Sequence, residues 1–190
     1  RLSNGGPAPD FDWQAIGEIL SAVIERARLR DDTVDLRLKL EASLPLIRGD
    51  GVLLAQAVAN LVDNALKYSK GAIVVSASLH NAQLNIDVAD RGSTLSAHER
   101  QRIFQTFYRS PNALGTRGAG LGLSIAQAVA QAHGGGLSVM PRLDGGNIFR
   151  LSLQLAEVPP VAAETADEAE AVHESGEGDQ ASIHSLRNTS

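Results

Sequence analysis

Residues 60–69 read Asn-Leu-Val-Asp-Asn-Ala-Leu-Lys-Tyr-Ser, and they decide how the rest of the chain is interpreted. Asn60, Asn64 and Lys67 follow one another at intervals of four and three residues, which places their side chains on one face of a helix. The aliphatic residues between them supply an apolar face for a core. An amide oxygen is a hard, neutral ligand suited to Mg²⁺, and a lysine is a compact point charge suited to phosphate. Taken alone, the stretch is also compatible with an amphipathic surface helix, so the interpretation depends on the other motifs.

Composition restricts the class of protein. The 190 residues fit one domain with appendages, and an apolar content of 43% is enough for a core although aromatic residues make up only 4%. The net charge of −5 argues against a general nucleic-acid binder, and the absence of cysteine excludes disulfides and thiolate metal sites. No apolar run approaches the ~18 residues of a membrane span. Because the chain begins at Arg1, without a methionine or signal peptide, we expect it to be a piece of a longer protein.

The composition along the chain predicts three segments. Residues 1–10 are rich in glycine and proline, as in a linker. Residues 11–156 carry the patterned helices and strands. From 157 to 190 the chain is dominated by alanine, glutamate, serine and glycine, a composition that cannot bury enough surface to order itself. We therefore expect a disordered acidic tail.

Hydrophobic periodicity predicts the secondary structure of residues 11–156. The expected helices cover about 12–30 (with Asp12 as N-cap), 50–68 and 119–133, and the expected strands lie near 34–40, 72–79, 84–89, 137–140 and 148–155. Residues 91–117, with one short helical piece near 97–107, form a long connection of the kind that often serves as a lid. The order favours an α+β fold, a two-layer sandwich in which a mixed, mostly antiparallel sheet of about five strands packs on three helices. Strict β-α alternation is missing, which argues against a doubly wound dinucleotide fold.

Two further motifs follow the helix at 50–68. Asp90-Arg91-Gly92 ends a predicted strand, where a carboxylate can accept a hydrogen bond from an exocyclic amine such as that of adenine. The same pattern also occurs in simple turns. Residues 103–109, Ile-Phe-Gln-Thr-Phe-Tyr-Arg, form an aromatic cluster over the core, and Arg109 can either reach a phosphate or remain solvated.

A glycine-rich turn leads into the third predicted helix. Residues 118–123 read Gly-Ala-Gly-Leu-Gly-Leu, and glycines at a helix start let the backbone approach an anion. The free N–H groups and the positive end of the helix dipole then stabilise phosphate oxygens. The pattern is neither a P-loop nor a Rossmann fingerprint.

In this order, the four motifs resemble the N box, first glycine box, F box and second glycine box of sensor histidine kinases. The resemblance is to the ATP-binding catalytic domain of the two-component kinases, within the Bergerat-fold superfamily of gyrase, MutL and related ATPases, and it covers roughly residues 11–156. It implies a protein-histidine kinase that uses ATP and Mg²⁺. The residues to which it gives a role are Asn60, Asn64, Lys67, Tyr68, Asp90, Gly92, Arg109, Gly118, Gly120, Leu121 and Gly122.

The resemblance also implies what these residues do. Asn64 and Asn60 would organise Mg²⁺ at the triphosphate, Lys67 would contact phosphate, and Tyr68 would line the nucleotide pocket. Asp90 would accept from the adenine amine. Gly92 would lie under the base, and the residues of the second glycine box would enclose the phosphates together with Arg109.

Two positions distinguish this chain within the superfamily. The ATPases place a glutamate four residues before the Mg²⁺-binding asparagine, as a base that activates water, whereas this chain has Asn60 there. An amide cannot accept a proton at neutral pH, which favours phosphoryl transfer over hydrolysis. In addition, Thr94 stands where the first glycine box usually has a second glycine. The substitution brings lid closure into question because it can forbid a positive backbone angle.

The resemblance implies partners as well. None of the five histidines, His80, His98, His133, His173 and His184, lies in the His-Glu-x-x-Thr-Pro context of a phosphoacceptor. We therefore expect the acceptor on a histidine-bearing dimerisation domain, upstream or on another chain, and a response regulator receiver domain as the next partner. No nucleic acid and no direct membrane contact of this segment are expected. The implied location is cytoplasmic, either free or at the cytoplasmic end of a membrane-anchored sensor.

Two alternatives remain open at this point. One is a degenerate nucleotide-binding or docking module of the same fold, with Thr94 as the suspected lesion. The other is an anti-sigma-type serine kinase or a stand-alone ATPase, against which Asn60 argues.

Overall fold

The computed structural model describes residues 10–109 and 119–155. The elements in chain order are β1 (Asp12–Gln14), α1 (Ile16–Arg30), β2 (Leu36–Leu40), β3 (Ile47–Gly49), α2 (Gly51–Tyr68), β4 (Ile73–His80), β5 (Gln83–Ala89), α3 (Ala97–Arg102), α4 (Gly122–Ala132), β6 (Gly136–Pro141) and β7 (Asn147–Gln154). The tail predicted at 157–190 and all but the last residue of the linker predicted at 1–10 lie outside the described residues.

Five of the strands form one sheet in the order β2-β4-β5-β7-β6. β2 and β4 are parallel, and the other three neighbouring pairs are antiparallel. In β4, β5 and β7 the buried apolar residues occupy alternate positions, and they pack with α1, α2 and α4 in a single hydrophobic core. The predicted sandwich, a mixed five-stranded sheet on three main helices, is confirmed.

The long helix α2 is central to this core. Its N-cap residue Asp50 accepts hydrogen bonds from the backbone N–H groups of Val52 and Leu53, both at 3.0 Å. These bonds satisfy donors that a helix start leaves unpaired. Leu61 and Ala65 are completely buried on its inner side, so the opposite side of the same two turns is left for polar residues. The helix predicted at 50–68 is confirmed almost to the residue.

Three predicted helix boundaries are wrong. Asp12 is not an N-cap: it lies in β1, opposite Gly49 of β3, and α1 begins only at Ile16, where the apolar periodicity starts. The third long helix begins at Gly122 rather than at 119, because Gly120 has a φ of +72°. The short helix α3 ends at Arg102 instead of near 107. The small sheet of β1 and β3 was not predicted, since three-residue strands carry too little pattern.

Among the described residues, no helix combines the length and apolar character that crossing a membrane requires.

Candidate functional site

A cavity of about 590 Å³ opens between α2, the end of β5, the segment that follows α3, and the start of α4. Its size lies within the range of sites for small molecules and cofactors. Nine residues with a predicted role line it: Asn60, Asn64, Lys67, Tyr68, Asp90, Arg109, Gly120, Leu121 and Gly122. Gly92 is not a wall residue but bonds one of them, as described below, and Gly118 lies outside the described residues.

The α2 side of the cavity is a polar stripe. Asn60, Asn64 and Lys67 lie on successive turns of one helix face, and all three line the cavity. Asp63 also lines it, but its carboxylate is paired with Arg30 at 2.8 Å. The helical spacing read from the sequence therefore does bring the two amides and the ammonium group to one wall.

Asn60 carries an unusual feature, a buried donor with no partner among the described residues. Its Oδ1 accepts a hydrogen bond of 3.2 Å from Gln56, whereas its Nδ2 is buried and makes no hydrogen bond. An unpaired buried donor costs about 1–3 kcal/mol. The start of α4 is adjacent, since a Cβ on Gly122 would lie 3.7 Å from the Asn60 side chain. A ligand with acceptor oxygens at this end of the cavity would satisfy the donor.

The start of α4 is open to a ligand in the same way. Its N-cap residue, Leu121, provides no side-chain hydrogen bond to the first turn. Gly120 accepts from the N–H of Phe107 at 3.1 Å, and a Cβ there would lie 3.0 Å from the carbonyl oxygen of Tyr108. Phe107 itself has a φ of +64°. The glycine thus joins the helix start to the segment after α3, and the first helical residues, Gly122 and Leu123, line the cavity.

Asp90 is only 2% exposed and lies near the C-terminal end of α2, since a Cβ on Gly92 would lie 2.8 Å from the carbonyl oxygen of Tyr68, about two helical turns from Asn60. Oδ1 of Asp90 accepts from the N–H of Gly92 at 2.7 Å and from Nδ2 of Asn147 at 3.4 Å. Neither of these two hydrogen bonds engages Oδ2. Burial raises the pKa of Asp90 above its ordinary value of 3.8, and the hydrogen bonds and the charge of Arg142 oppose this rise only in part. A buried carboxylate with one unused oxygen is suited to accept a hydrogen bond from a ligand.

Asn147 is the functional candidate that the sequence analysis missed. It is 4% exposed, lines the cavity and bonds both Asp90 and the segment that follows it. A signal was present in the sequence: Asn147 is in phase with Phe149, Leu151 and Leu153, which are the buried positions of β7. A polar residue at a buried position of a strand indicates a hydrogen-bonded role.

No cluster of three or more potential metal-ligating His, Cys, Asp or Glu residues occurs within residues 10–109 and 119–155. A divalent cation at this site would therefore take most of its oxygen ligands from amides, water or the bound molecule itself. Magnesium is commonly held in this way, by one or two protein oxygens together with substrate phosphates and water.

Comparison with known proteins decides the family. A sequence profile described as "Histidine kinase-, DNA gyrase B-, and HSP90-like ATPase" matches residues 49–157, more than half of the chain. The chain belongs to this ATPase family. The resemblance of its four motifs to the catalytic domain of sensor histidine kinases is thereby confirmed.

Among curated relatives, this ATPase domain is similar to sensor histidine kinases over most of its length. It is 34% identical over 158 residues to the sensor-like histidine kinase SenX3 of Mycobacterium tuberculosis. This alignment covers 80% of this chain and 38% of SenX3. It is 31% identical over 176 residues to the sensor protein KdpD of Escherichia coli. This alignment covers 92% of this chain and 19% of KdpD. The chain thus spans less than two fifths of these relatives.

Solved structures agree with the fold. Full-length ShkA in complex with AMPPNP superposes with a TM-score of 0.70 at 27% identity, over 85% of this chain and 35% of ShkA. The mycobacterial sensor histidine kinase MprB gives a TM-score of 0.65 at 25% identity, over 77% of this chain and 100% of the MprB chain. The catalytic domain of ThkA, at 22% identity and a TM-score of 0.67, supports the fold alone, over 77% of this chain and 96% of the ThkA catalytic-domain chain.

Proposed function

We propose that this domain binds MgATP and donates the γ-phosphoryl group to a histidine on a separate dimerisation domain, as the catalytic part of a two-component sensor histidine kinase. The proposed domain covers residues 11–156. The observation that carries the proposal is one cavity with two different ends. Asp90, near the C-terminal end of α2, suits an adenine base, and Asn60 beside the start of α4, with Asn64 and Lys67 on the same helix face, suits phosphates.

At the base end, Asp90 accepts a hydrogen bond from the exocyclic amine of adenine. The unused Oδ2 is available for this bond because Oδ1 is already engaged by Gly92 and Asn147. Tyr68 lines the same cavity and contributes to the pocket that holds the nucleotide.

At the phosphate end, the ammonium group of Lys67 and the first N–H groups of α4 bind phosphate oxygens. Arg109 lines the cavity as well and can add a further positive charge, and Gly120, Leu121 and Gly122 supply the backbone. Asn64 would hold Mg²⁺ through its amide oxygen. The buried Nδ2 of Asn60 favours a bond to a phosphate oxygen or water over metal ligation, since an amide nitrogen donor is not a metal ligand.

Both carboxylates that line the described part of the cavity are engaged in other contacts. Asp63 is paired with Arg30, and Asp90 lies at the base end, buried beside Asn147. With Asn60 in the position that holds glutamate in the hydrolysing members, the side chain beside the start of α4 is an amide, which cannot act as a general base. This supports transfer to an incoming nucleophile.

The reaction is an in-line displacement. The bond between the γ-phosphorus and the β–γ bridging oxygen breaks, a bond between phosphorus and an imidazole nitrogen of the acceptor histidine forms, and ADP leaves with the electron pair. Mg²⁺ would supply charge neutralisation on the phosphates. The chain's own residues bind and orient the nucleotide and keep the γ-phosphoryl accessible to the partner.

The test is labelling with γ-³²P-ATP, using the chain alone and the chain together with a histidine-bearing dimerisation domain, linked or separate. We expect acid-labile, alkali-stable label on the dimerisation domain only when this chain and Mg²⁺ are present. Binding of MgATP without any transfer would support the docking-module alternative. Steady-state phosphate release by the chain alone would instead support the ATPase alternative.

One observation bears on the docking-module alternative. Thr94 does not have a positive φ, and its hydroxyl group bonds Gly146, so threonine fits this position without backbone strain. The substitution therefore gives no structural reason to expect an inactive domain.

A further inference from the structure

The loop that carries Asp90 is fastened to the turn between β6 and β7. We call residues 90–95 the base-side loop. Arg91 donates to the carbonyl oxygen and the carboxylate of Asp144, both at 2.8 Å, and Arg142 donates to the carbonyl oxygen of Asp90 at 3.1 Å. A Cβ on Gly146 would lie 2.2 Å from that same carbonyl oxygen, so only glycine lets the turn approach so closely.

Asn147 makes the deepest contacts between the turn and the loop. Its Nδ2 donates to the carbonyl oxygen of Ser93 at 3.0 Å and to Oδ1 of Asp90 at 3.4 Å, and its Oδ1 accepts from the N–H of Leu95 at 2.9 Å. One amide thus joins the carboxylate of Asp90 to two backbone positions of the loop. Neither an apolar residue nor a carboxylate can make the same set of bonds, because the site needs two donors and one acceptor.

Thr94 also connects the base-side loop to the turn between β6 and β7. Its hydroxyl oxygen accepts from the N–H of Gly146 at 3.2 Å, and the hydroxyl lies 3.5 Å from the carbonyl oxygen of the same residue. The residue that departs from the family's glycine pattern is therefore bonded to the turn that directly precedes Asn147. Glycine at position 94 could not make this bond.

We propose that Asn147 is a positioning residue that sets the preference for a 6-amino purine. It fixes Oδ1 of Asp90 and the base-side loop, so that Oδ2 points to a single place for the exocyclic amine. Thr94 supports it by holding the loop against the turn. This inference rests on the proposed function, since it assigns the base end of the same nucleotide cavity.

The test compares two ligands that differ in one group. ATP and purine riboside 5′-triphosphate differ only in the exocyclic amine, so the ratio of their dissociation constants measures recognition of the amine. We expect the wild-type chain to prefer ATP. The Asn147→Ala variant should bind ATP about tenfold more weakly while its affinity for the purine riboside analogue changes by less than about twofold.

A matched control separates positioning from general loss of structure. Asn85→Ala removes another buried asparagine of the sheet, which is bonded to Ser152 and not to the base-side loop. This variant should leave the ratio of dissociation constants unchanged. A second pair, Thr94→Ser and Thr94→Val, tests the hydroxyl: serine should retain the ratio and valine should lower it, and this pair decides the matter if Asn147→Ala does not fold.

Each outcome has one meaning. Equal weakening of both ligands by Asn147→Ala would assign Asn147 a purely structural role and overturn the inference, as would no weakening of either. A wild-type chain that binds both ligands equally would overturn it too, while leaving triphosphate binding intact. A folded wild-type chain that binds neither ligand would instead overturn the proposed function.

Discussion

The backbone N–H of Asp50 donates a 3.0 Å hydrogen bond to Nε2 of His133. Because the amide can only donate, Nε2 accepts, and Nδ1 carries the proton toward the carbonyl oxygen of Val129 at 2.8 Å. Both ring nitrogens of His133 thus contact backbone groups, one on each helix. The bond joins the start of α2 to the end of α4, the two helices that contribute to the phosphate end of the cavity. Gly49 leaves room for it, since a Cβ there would lie 2.8 Å from the imidazole ring.

Replacing this histidine should destabilise the domain without changing its chemistry. We expect His133→Ala to lower the free energy of unfolding by about 1–3 kcal/mol, because the N–H of Asp50 loses its acceptor. Urea denaturation measures the loss. His80→Ala, on an exposed strand end, is the control and should change little. An unchanged midpoint for His133→Ala would show that the link between the helices is not stabilising.

The ionised carboxylate of Asp90 should lower the free energy of unfolding at neutral pH. Its pKa is raised by burial, so between the unfolded value near 3.8 and the higher folded value the folded state binds more protons than the unfolded state. The free energy of unfolding contributed by this group therefore falls as pH rises through that window. We expect Asp90→Asn to be more stable than the wild type at pH 7, and the difference to vanish below the unfolded pKa.

The same Asp90→Asn variant should bind ATP more weakly, because an amide offers a poorer acceptor to the adenine amine than a carboxylate. Denaturation at several pH values and calorimetry with MgATP measure the two effects. A variant that is less stable at pH 7 would contradict the assignment of the pKa shift to burial.

Asn64 should couple ATP binding to the metal. We expect Asn64→Ala to remain folded but to lose the gain in ATP affinity that Mg²⁺ gives the wild type, because the amide oxygen is the proposed ligand. Calorimetry in Mg²⁺ and in EDTA measures this difference. Val52→Ala, on the exposed side of the same helix, is the control. The proposed metal role is wrong if the variant keeps the full magnesium dependence.

A general base introduced at position 60 should shift the reaction from phosphoryl transfer toward hydrolysis of ATP. We expect Asn60→Glu to release phosphate from ATP faster than the wild type, by up to about 10²-fold, because a carboxylate beside the γ-phosphate can activate water. The readout is phosphate release in the absence of an acceptor domain, and Asn60→Gln is the uncharged control of the same length. Normal ATP binding with no increase in hydrolysis would argue against this position as the determinant.

Local pattern was sufficient to predict most of the fold. α2 and the alternating strands β4, β5 and β7 follow from periods of 3.6 and 2, and the α2 wall of the cavity follows from the same helical period. Pairing over long distances in the chain was not predictable. Asp12 joins a strand because it meets Gly49 across the small sheet, which no local pattern indicates.

The base end of the cavity shows the same limit. Asp90 could be predicted from a strand end followed by glycine, but Asn147 acts on residues 52 to 57 positions earlier in the chain. Only its polarity at a buried position of β7 indicated a special role. The hydrogen bond between Thr94 and Gly146, 52 positions away, likewise could not be predicted from the first glycine box alone.

Calorimetric titration of the chain with AMPPNP and Mg²⁺ tests the central claim most directly. We expect one nucleotide to bind per chain with an affinity that falls when Mg²⁺ is removed and falls again in the Asp90→Asn variant. If folded protein shows no binding at millimolar nucleotide, or binds with no dependence on either Mg²⁺ or Asp90, the cavity is not a site for MgATP.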